Sequence, residues 1–173
     1  LVEQQHVAAA QQRRGEMQLT AEGGMLLRGP VASLLDYFDR TAHCWALAVG
    51  ATDVVFPEEI PPTALERAGF MAAFPQKVVW AGHIARPPAV CYHHYPHFAD
   101  GVLDHSGSLV TAVGRCYRNE FDARSTHPAE RLSAFTMREV IAIGKASVVE
   151  GLRTDMMDRV TRWMKELGVD GFI

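Results

Sequence analysis

Two segments in the second half of the chain carry charged, polar and aromatic residues at spacings that could serve a phosphorylated ligand. The first, residues 114–120, reads Gly-Arg-Cys-Tyr-Arg-Asn-Glu. On an extended strand alternate side chains share a face, so Cys116, Arg118 and Glu120 point the same way. A guanidinium there can grip a phosphate while the carboxylate accepts a hydrogen bond from an exocyclic amine. The alternative interpretation is an ion pair on a solvated sheet face.

The second segment, residues 130–139, has the same period of two. It places five residues on one face: Arg131, Ser133, Phe135, Met137 and Glu139. If this strand pairs antiparallel with the first, an aromatic ring and a second arginine flank the face of Arg118 and Glu120. Such an arrangement would form a nucleotide slot. Taken alone, Phe135 also fits a core position, and Glu139 fits a surface position.

A third segment, residues 87–97, concentrates metal-binding residue types: Cys91, His93, His94 and His97. Thiolate and imidazole are ligands that suit zinc. The spacing differs from that of a structural zinc finger, and the sequence has no CxxC pair. The alternatives are a buried thiol for Cys91 and a solvated loop for the histidines. For Cys116 we expect a packed thiol rather than a third ligand.

Hydrophobic periodicity predicts the elements that must position these segments. Apolar residues at intervals of three and four, after a proline suited to a first turn, predict a helix over 30–45. Further helices are expected over 62–69 and 145–167. Short or alternating β-prone runs predict strands over 16–20, 25–27, 46–49, 53–56, 78–80, 88–92, 109–120 and 132–143.

The order of these elements indicates an α+β fold in which helices flank an antiparallel sheet. The last two strands are long, and a polar loop over 121–130 joins them as an antiparallel pair. We interpret residues 1–173 as one domain, with residues 1–15 as a peripheral segment.

Composition excludes several classes of protein. The chain has 173 residues with 48% hydrophobic and 21% charged content, which is typical of a soluble globular domain. A net charge of −3 argues against a basic nucleic-acid module or a membrane-surface protein. Three cysteines do not make a disulfide scaffold. With neither a signal peptide nor a long apolar run, we expect a cytoplasmic protein without a membrane segment.

The two long strands resemble motif 2 of the class II aminoacyl-tRNA synthetases. That motif is an aromatic-Arg-Asn-Glu strand, a polar loop and a returning Arg-x-x-x-Phe-x-x-x-Glu strand, and residues 117–120 and 131–139 match it in order and spacing. Upstream, Val-Val-Phe-Pro at residues 54–57 resembles motif 1, which usually builds a dimer interface. The resemblance covers roughly residues 15–173 and implies a class II catalytic domain and a homodimer.

Within that class, Cys91 with Glu139 resembles a zinc-dependent branch: the atypical seryl-tRNA synthetases and their relatives, the amino acid:[carrier protein] ligases. In these relatives Cys, Glu and a second Cys hold zinc, which captures the substrate's α-amino group. The second Cys and the motif 3 arginine lie downstream in the family, and nothing before Ile173 matches them. We therefore expect a C-terminally incomplete catalytic domain.

The resemblance implies an adenylate-forming ligase that loads glycine or alanine onto the phosphopantetheine thiol of an acyl carrier protein. Arg118 would hold the α-phosphate of ATP as the catalytic residue, Glu120 would accept from the adenine amine, Phe135 would stack on the base, and Arg131 would assist at the phosphates. Zn²⁺ would sit on Cys91 and Glu139, and Mg²⁺ would bridge the phosphates.

Two alternatives remain open. One is zinc-dependent seryl-tRNA synthetase-type aminoacylation, against which the acidic net charge and short N-terminal segment argue, since tRNA is a polyanion. The other is a paralogue that keeps the fold without catalysis.

Overall fold

The computed structural model describes four stretches of the chain, residues 16–21, 24–103, 107–120 and 131–169. The first elements are an antiparallel hairpin of β1 (Met17–Leu19) and β2 (Met25–Leu27) and then the long helix α1 (Gly29–Ala48). Pro30 lies in the first turn of α1, where no intrahelical donor is required. The helix predicted over 30–45 is therefore confirmed, with a longer C-terminal end.

The middle of the chain consists of short elements. In order they are β3 (Thr52–Asp53), α2 (Pro62–Arg67), α3 (Phe70–Ala73), a 3₁₀ turn (Pro75–Lys77), the hairpin strands β4 (Trp80–Ala81) and β5 (Ile84–Ala85), and two further 3₁₀ turns (Val90–His93 and Tyr95–Phe98). Ile60, Leu65, Phe70 and Ala85 form a small core that holds this segment together.

The last three elements are the longest. They are β6 (Ser108–Tyr117), β7 (Ala134–Ile143) and helix α4 (Ala146–Glu166). Strands β6 and β7 pair antiparallel from Ser108↔Ile143 to Tyr117↔Ala134. Strand β3 lies on the other side of β6 and runs parallel to it, so the sheet has the order β3-β6-β7.

The two faces of this sheet carry different layers. One face holds a core of Val110, Ala112, Cys116 and Ile141, against which the 3₁₀ turn at Val90 packs. A Cβ on Gly114 would lie 3.3 Å from Val90 Cγ2, so the glycine allows this close approach. Helix α1 lies against the other face, and α4 meets α1 through rings of Phe38, Trp45 and Trp163.

Several sequence predictions need correction. Residues 46–48 continue α1 instead of starting a strand, because their backbone amides stay in the helical ladder. Residues 88–92, which include Cys91, are not a strand; Val90–His93 forms a 3₁₀ turn. The sheet is mixed, because β3 pairs parallel with β6. The segments 1–15 and 121–130 lie outside the described residues.

Helix α1 is attached to the sheet by an ion pair. The Arg138 guanidinium, only 10% exposed, contacts both carboxylate oxygens of Asp39. Its Nη1 also donates to Thr111 Oγ1 over 3.3 Å, and that hydroxyl donates to the Glu139 carbonyl over 2.9 Å. Because the geometry is bidentate and largely desolvated, this pair orients α1 on the strands. No helix among the described residues has the length and apolar character to span a membrane.

We predict that Arg138→Met lowers the free energy of unfolding by about 3 kcal/mol, because it leaves Asp39 without its partner in a partly buried position. Denaturant unfolding followed by circular dichroism measures the change. Arg67→Met is the matched control, since it breaks an ion pair with Asp100 whose side chains are 62% and 87% exposed. The control should cost less than about 1 kcal/mol. Equal losses in the two variants would contradict this account of the attachment.

Candidate active site

Arg118 lies just beyond the end of β6 and is fixed at three points. Its backbone amide donates to the Ser133 carbonyl over 3.0 Å, and its Nε donates to the Pro88 carbonyl over 2.9 Å. The guanidinium carbon lies 5.2 Å from the centre of the Phe135 ring, within the range of a cation–π contact. Among the described residues, the side-chain hydrogen bond of Arg118 is made through Nε.

Phe135 is brought to this place by the register of the ladder. It stands opposite Cys116, and the face they share continues through Met137 to Glu139. The predicted common face is confirmed for Cys116, Phe135, Met137 and Glu139. The strands are shorter than predicted: Arg118 and Glu120 lie beyond Tyr117, where β6 ends, and Arg131 and Ser133 precede β7. Cys116 is fully buried, and burial raises the pKa of its thiol to about 12, with a further raising contribution from Glu139. It is a packed thiol in the core.

Glu120 is held by a residue that the sequence did not single out. The Lys77 ammonium lies 2.9 Å from Oε2 and 3.1 Å from Oε1 of Glu120, whose side chain is 7% exposed. Arg131 Nη1 lies 3.7 Å from Oε2. Arg118 with Phe135 and Glu120 with Arg131 thus form two contacting pairs near the ends of the two long strands. Lys77 was missed because it lies 43 residues from Glu120 in a short turn, where no local pattern marks it.

Cys91 and Glu139 meet on the same face, further along β7. Glu139 Oε1 accepts from the backbone amide of Val90 over 3.0 Å, and Oε2 accepts from that of Cys91 over 3.0 Å. The carboxylate therefore caps the 3₁₀ turn, whose first amides lack intrahelical partners. Burial raises the pKa of the Cys91 thiol to about 11, a hydrogen bond with Tyr95 lowers it in part, and the Glu139 charge raises it further.

Tyr92 connects the two parts of the site. Burial raises the pKa of its phenol, the charge at Cys91 raises it further, and Arg118 lowers it. Tyr92 therefore lies within electrostatic range of Arg118 on one side and of Cys91 and Glu139 on the other. The pKa of the neighbouring Tyr95 is raised as well, by burial first and then by its hydrogen bond with Cys91.

His93 and His94 are buried, whereas His97 is exposed. His93 is 8% exposed and stacks on Phe56 with ring centres 5.3 Å apart. His94 is also buried, and its Nε2 lies 3.0 Å from Ser108 Oγ. Burial lowers the pKa of both rings, and the charge of His97 lowers it further. These two side chains pack against the sheet, so the solvated-loop interpretation is wrong for them.

Cys91 and Glu139 provide only part of a zinc site. Cys91 and Glu139 place a thiol and a carboxylate side by side, two of the three ligands that the zinc interpretation requires. Within residues 16–21, 24–103, 107–120 and 131–169, no group of three or more His, Cys, Asp or Glu side chains could hold a metal ion. A zinc ion here would need a further ligand from outside these stretches.

Cavities adjoin both parts of the site. One of about 490 Å³ runs along β7 from Cys91, Tyr95 and Glu139 toward the apolar side chains of α1 and α4. Another, of about 460 Å³, borders Arg118 and Asn119 and is walled by Trp80 and Tyr117. The candidate site therefore has room for one ligand beside the Arg118 guanidinium and for another beside Cys91 and Glu139.

The chain superposes on parts of three solved structures. Seryl-tRNA synthetase from Pyrococcus horikoshii, complexed with ATP, covers 88% of it with a TM-score of 0.76 and 15% identity. Giardia lamblia prolyl-tRNA synthetase with prolyl-adenylate covers 88% with a TM-score of 0.75 and 16% identity. The RNA binding domain of threonyl-tRNA synthetase from Cryptosporidium parvum Iowa II covers 92% with a TM-score of 0.73 and 13% identity.

The fold is the class II aminoacyl-tRNA synthetase fold. The chain spans between 34% and 42% of the lengths of these three chains. No protein-family model and no curated protein matches the sequence. The expectation of a class II synthetase-like α+β fold, formed from the residues of the two long strands, is thus confirmed, and the class II fold is what these distant matches show.

We predict that Cys91 of the metal-free protein resists alkylation at neutral pH. Its pKa of about 11, against an ordinary 9.0, leaves about one hundredth of the usual thiolate, which is the reactive form. Iodoacetamide labelling followed by peptide mass spectrometry should modify the exposed Cys44 first at pH 7.5. Modification of Cys91 should accelerate as the pH rises toward 11. Labelling of Cys91 as fast as that of Cys44 at pH 7.5 would contradict the buried, protonated thiol.

Proposed function

We propose that this chain carries the ATP site of an adenylate-forming ligase that activates glycine or alanine and passes it to the phosphopantetheine thiol of an acyl carrier protein. The observation that carries the proposal is that the Arg118 guanidinium lies against Phe135 at one end of the ladder, with Glu120 two residues further along the chain. Cys91 and Glu139 lie on the same face. The class II fold suits chemistry by positioning and charge.

In the first step a carboxylate oxygen of the amino acid attacks the α-phosphorus of ATP. The bond to the bridging oxygen breaks, and pyrophosphate leaves with that electron pair. The terminal nitrogens of Arg118 neutralise charge on the α-phosphate as it develops. Because the Pro88 carbonyl and the Phe135 ring fix the guanidinium, little reorganisation is required during the reaction.

The adenine base is recognised nearby. Phe135 offers a ring on which the base stacks, and Glu120 accepts from the exocyclic amine. In the structure the Arg118 guanidinium lies over the Phe135 ring, so the base stacks on the part of the ring that the guanidinium leaves uncovered. Arg131, within 3.7 Å of Glu120, assists at the phosphates.

The amino acid is held beside Cys91 and Glu139, where a cavity of about 490 Å³ begins. Cys91, Glu139 and a ligand from outside the described residues would hold Zn²⁺, which supplies Lewis acidity that keeps an α-amino group unprotonated and oriented. Mg²⁺ accompanies the ATP phosphates. In the second step the carrier thiol loses its proton and attacks the adenylate carbonyl, so that a thioester forms and AMP leaves.

Net charge is our reason for proposing a carrier protein, and not tRNA, as the acceptor. A net charge of −3 gives no long-range attraction to tRNA, whereas a carrier arm brings its own thiol. The second candidate is aminoacylation of tRNA, of the zinc-dependent seryl type, and it is favoured by the names of the structural neighbours, all tRNA synthetases. We propose a homodimer for either activity.

ATP–pyrophosphate exchange on the full-length protein tests the activation step, with glycine, alanine and serine compared and zinc quantified in the same sample. We predict exchange with glycine or alanine that falls by about 10²–10³ in Arg118→Met. Arg115→Met is the matched control, because Arg115 lies on the opposite face of β6 and donates to Thr136 Oγ1 over 3.1 Å. It should leave the rate unchanged.

The acceptor is then tested by transfer of labelled amino acid to a phosphopantetheinylated carrier protein and, in parallel, to tRNA. Labelling of the carrier supports the proposal, whereas exchange with serine and labelling of tRNA alone would establish the second candidate. Absence of both exchange and zinc would contradict any activation role and leave a non-catalytic paralogue.

A further inference from the structure

The ion pair between Lys77 and Glu120 is not explained by the roles proposed so far. Lys77 Nζ donates to both carboxylate oxygens, over 2.9 and 3.1 Å, and the two side chains are 26% and 7% exposed. A pair this far from water is costly to assemble unless its geometry is fixed. Glu120 lies two residues after Arg118, near the end of the ladder where the base is expected.

Lys77 is held in place by its own main chain in addition to its side chain. Lys77 is the last residue of the 3₁₀ turn Pro75–Lys77, and its carbonyl accepts from the Asn119 amide over 3.0 Å. The turn and the strand end are therefore joined both by backbone and by side chain. The ammonium cannot shift without breaking one of these contacts, so its position relative to Glu120 is set by the fold.

This arrangement decides what Glu120 can recognise. A carboxylate paired with an ammonium is ionised, and an ionised carboxylate accepts hydrogen bonds and donates none. Each oxygen has two lone pairs, so the contact with Lys77 leaves capacity for a second donor. A purine with an amine at position 6 supplies that donor. A purine with a carbonyl there would set oxygen against oxygen and be rejected.

We infer that Lys77 is a specificity-determining residue that fixes Glu120 as an acceptor and so selects adenine over 6-oxopurine nucleotides. The inference rests on the proposed function, since it assumes that the nucleotide base meets Glu120. Lys77 acts through Glu120 and is a positioning residue. Without it, the carboxylate loses the donor that holds both of its oxygens, so its orientation toward the base is no longer fixed and discrimination falls.

The test is the ratio of the dissociation constants for ITP and ATP, measured by isothermal titration calorimetry with Mg²⁺ on the full-length protein. The wild type should bind ATP roughly 10- to 100-fold more tightly than ITP, the range for one hydrogen bond to a charged group. Lys77→Met should lower this ratio to about threefold or less, and Lys77→Arg should restore it. Lys165→Met, which removes an exposed ammonium from α4, should leave the ratio at the wild-type value.

The outcomes separate the inference from the proposed function. An unchanged ratio in Lys77→Met overturns the inference and leaves the proposed function standing, because the pair would then only join the turn to the strand. Equal binding of ATP and ITP by the wild type also overturns it. A wild type that binds neither nucleotide overturns both. Should Lys77→Met fail to fold, Lys77→Gln gives the same test, because its shorter, uncharged side chain cannot hold both carboxylate oxygens as the ammonium does, and a retained ratio in it overturns the inference.

Discussion

The register of the ladder between β6 and β7 is the constraint on which the rest of the structure depends. Cys116 stands opposite Phe135, and Ala112 opposite Glu139. Because side chains alternate with a period of two, a slip of one residue would send Phe135 and Glu139 to the face covered by α1. The anchoring contacts of Arg138 occupy that opposite face and would be lost in the same slip.

Half of the candidate site comes from a segment outside the β6–β7 ladder that packs against it. The stretch from Lys77 to Tyr95 is docked on the strands by contacts that are separate in sequence: Asn119 to the Lys77 carbonyl, Tyr117 to the Pro87 carbonyl, Arg118 to the Pro88 carbonyl, and Glu139 to the amides of Val90 and Cys91. The side chains with the proposed chemical roles therefore also hold the site together. Their loss affects both the shape and the charge of the site.

The difference between the long strands and the short segment that packs on them explains which features the sequence could predict. The two long strands and α4 follow from strong periodicity, and with them the common face of Cys116 and Phe135. The 3₁₀ turn at Cys91 could not be predicted, because it is stabilised by Glu139 from 48 residues away. The same holds for Lys77, whose partner is equally remote, and for the burial of His93, which depends on Phe56. Short elements that tertiary contacts stabilise leave little local signal.

The central claim is that one face of this ladder binds an aminoacyl-adenylate. The most direct test is calorimetric binding of glycyl- and alanyl-sulfamoyl-adenosine, stable mimics of the adenylate, to the full-length protein and to Arg118→Met and Arg115→Met. The account predicts binding that Arg118→Met weakens by roughly 100-fold and that Arg115→Met leaves unchanged. Absence of binding by the wild type, or equal binding by all three proteins, would contradict it.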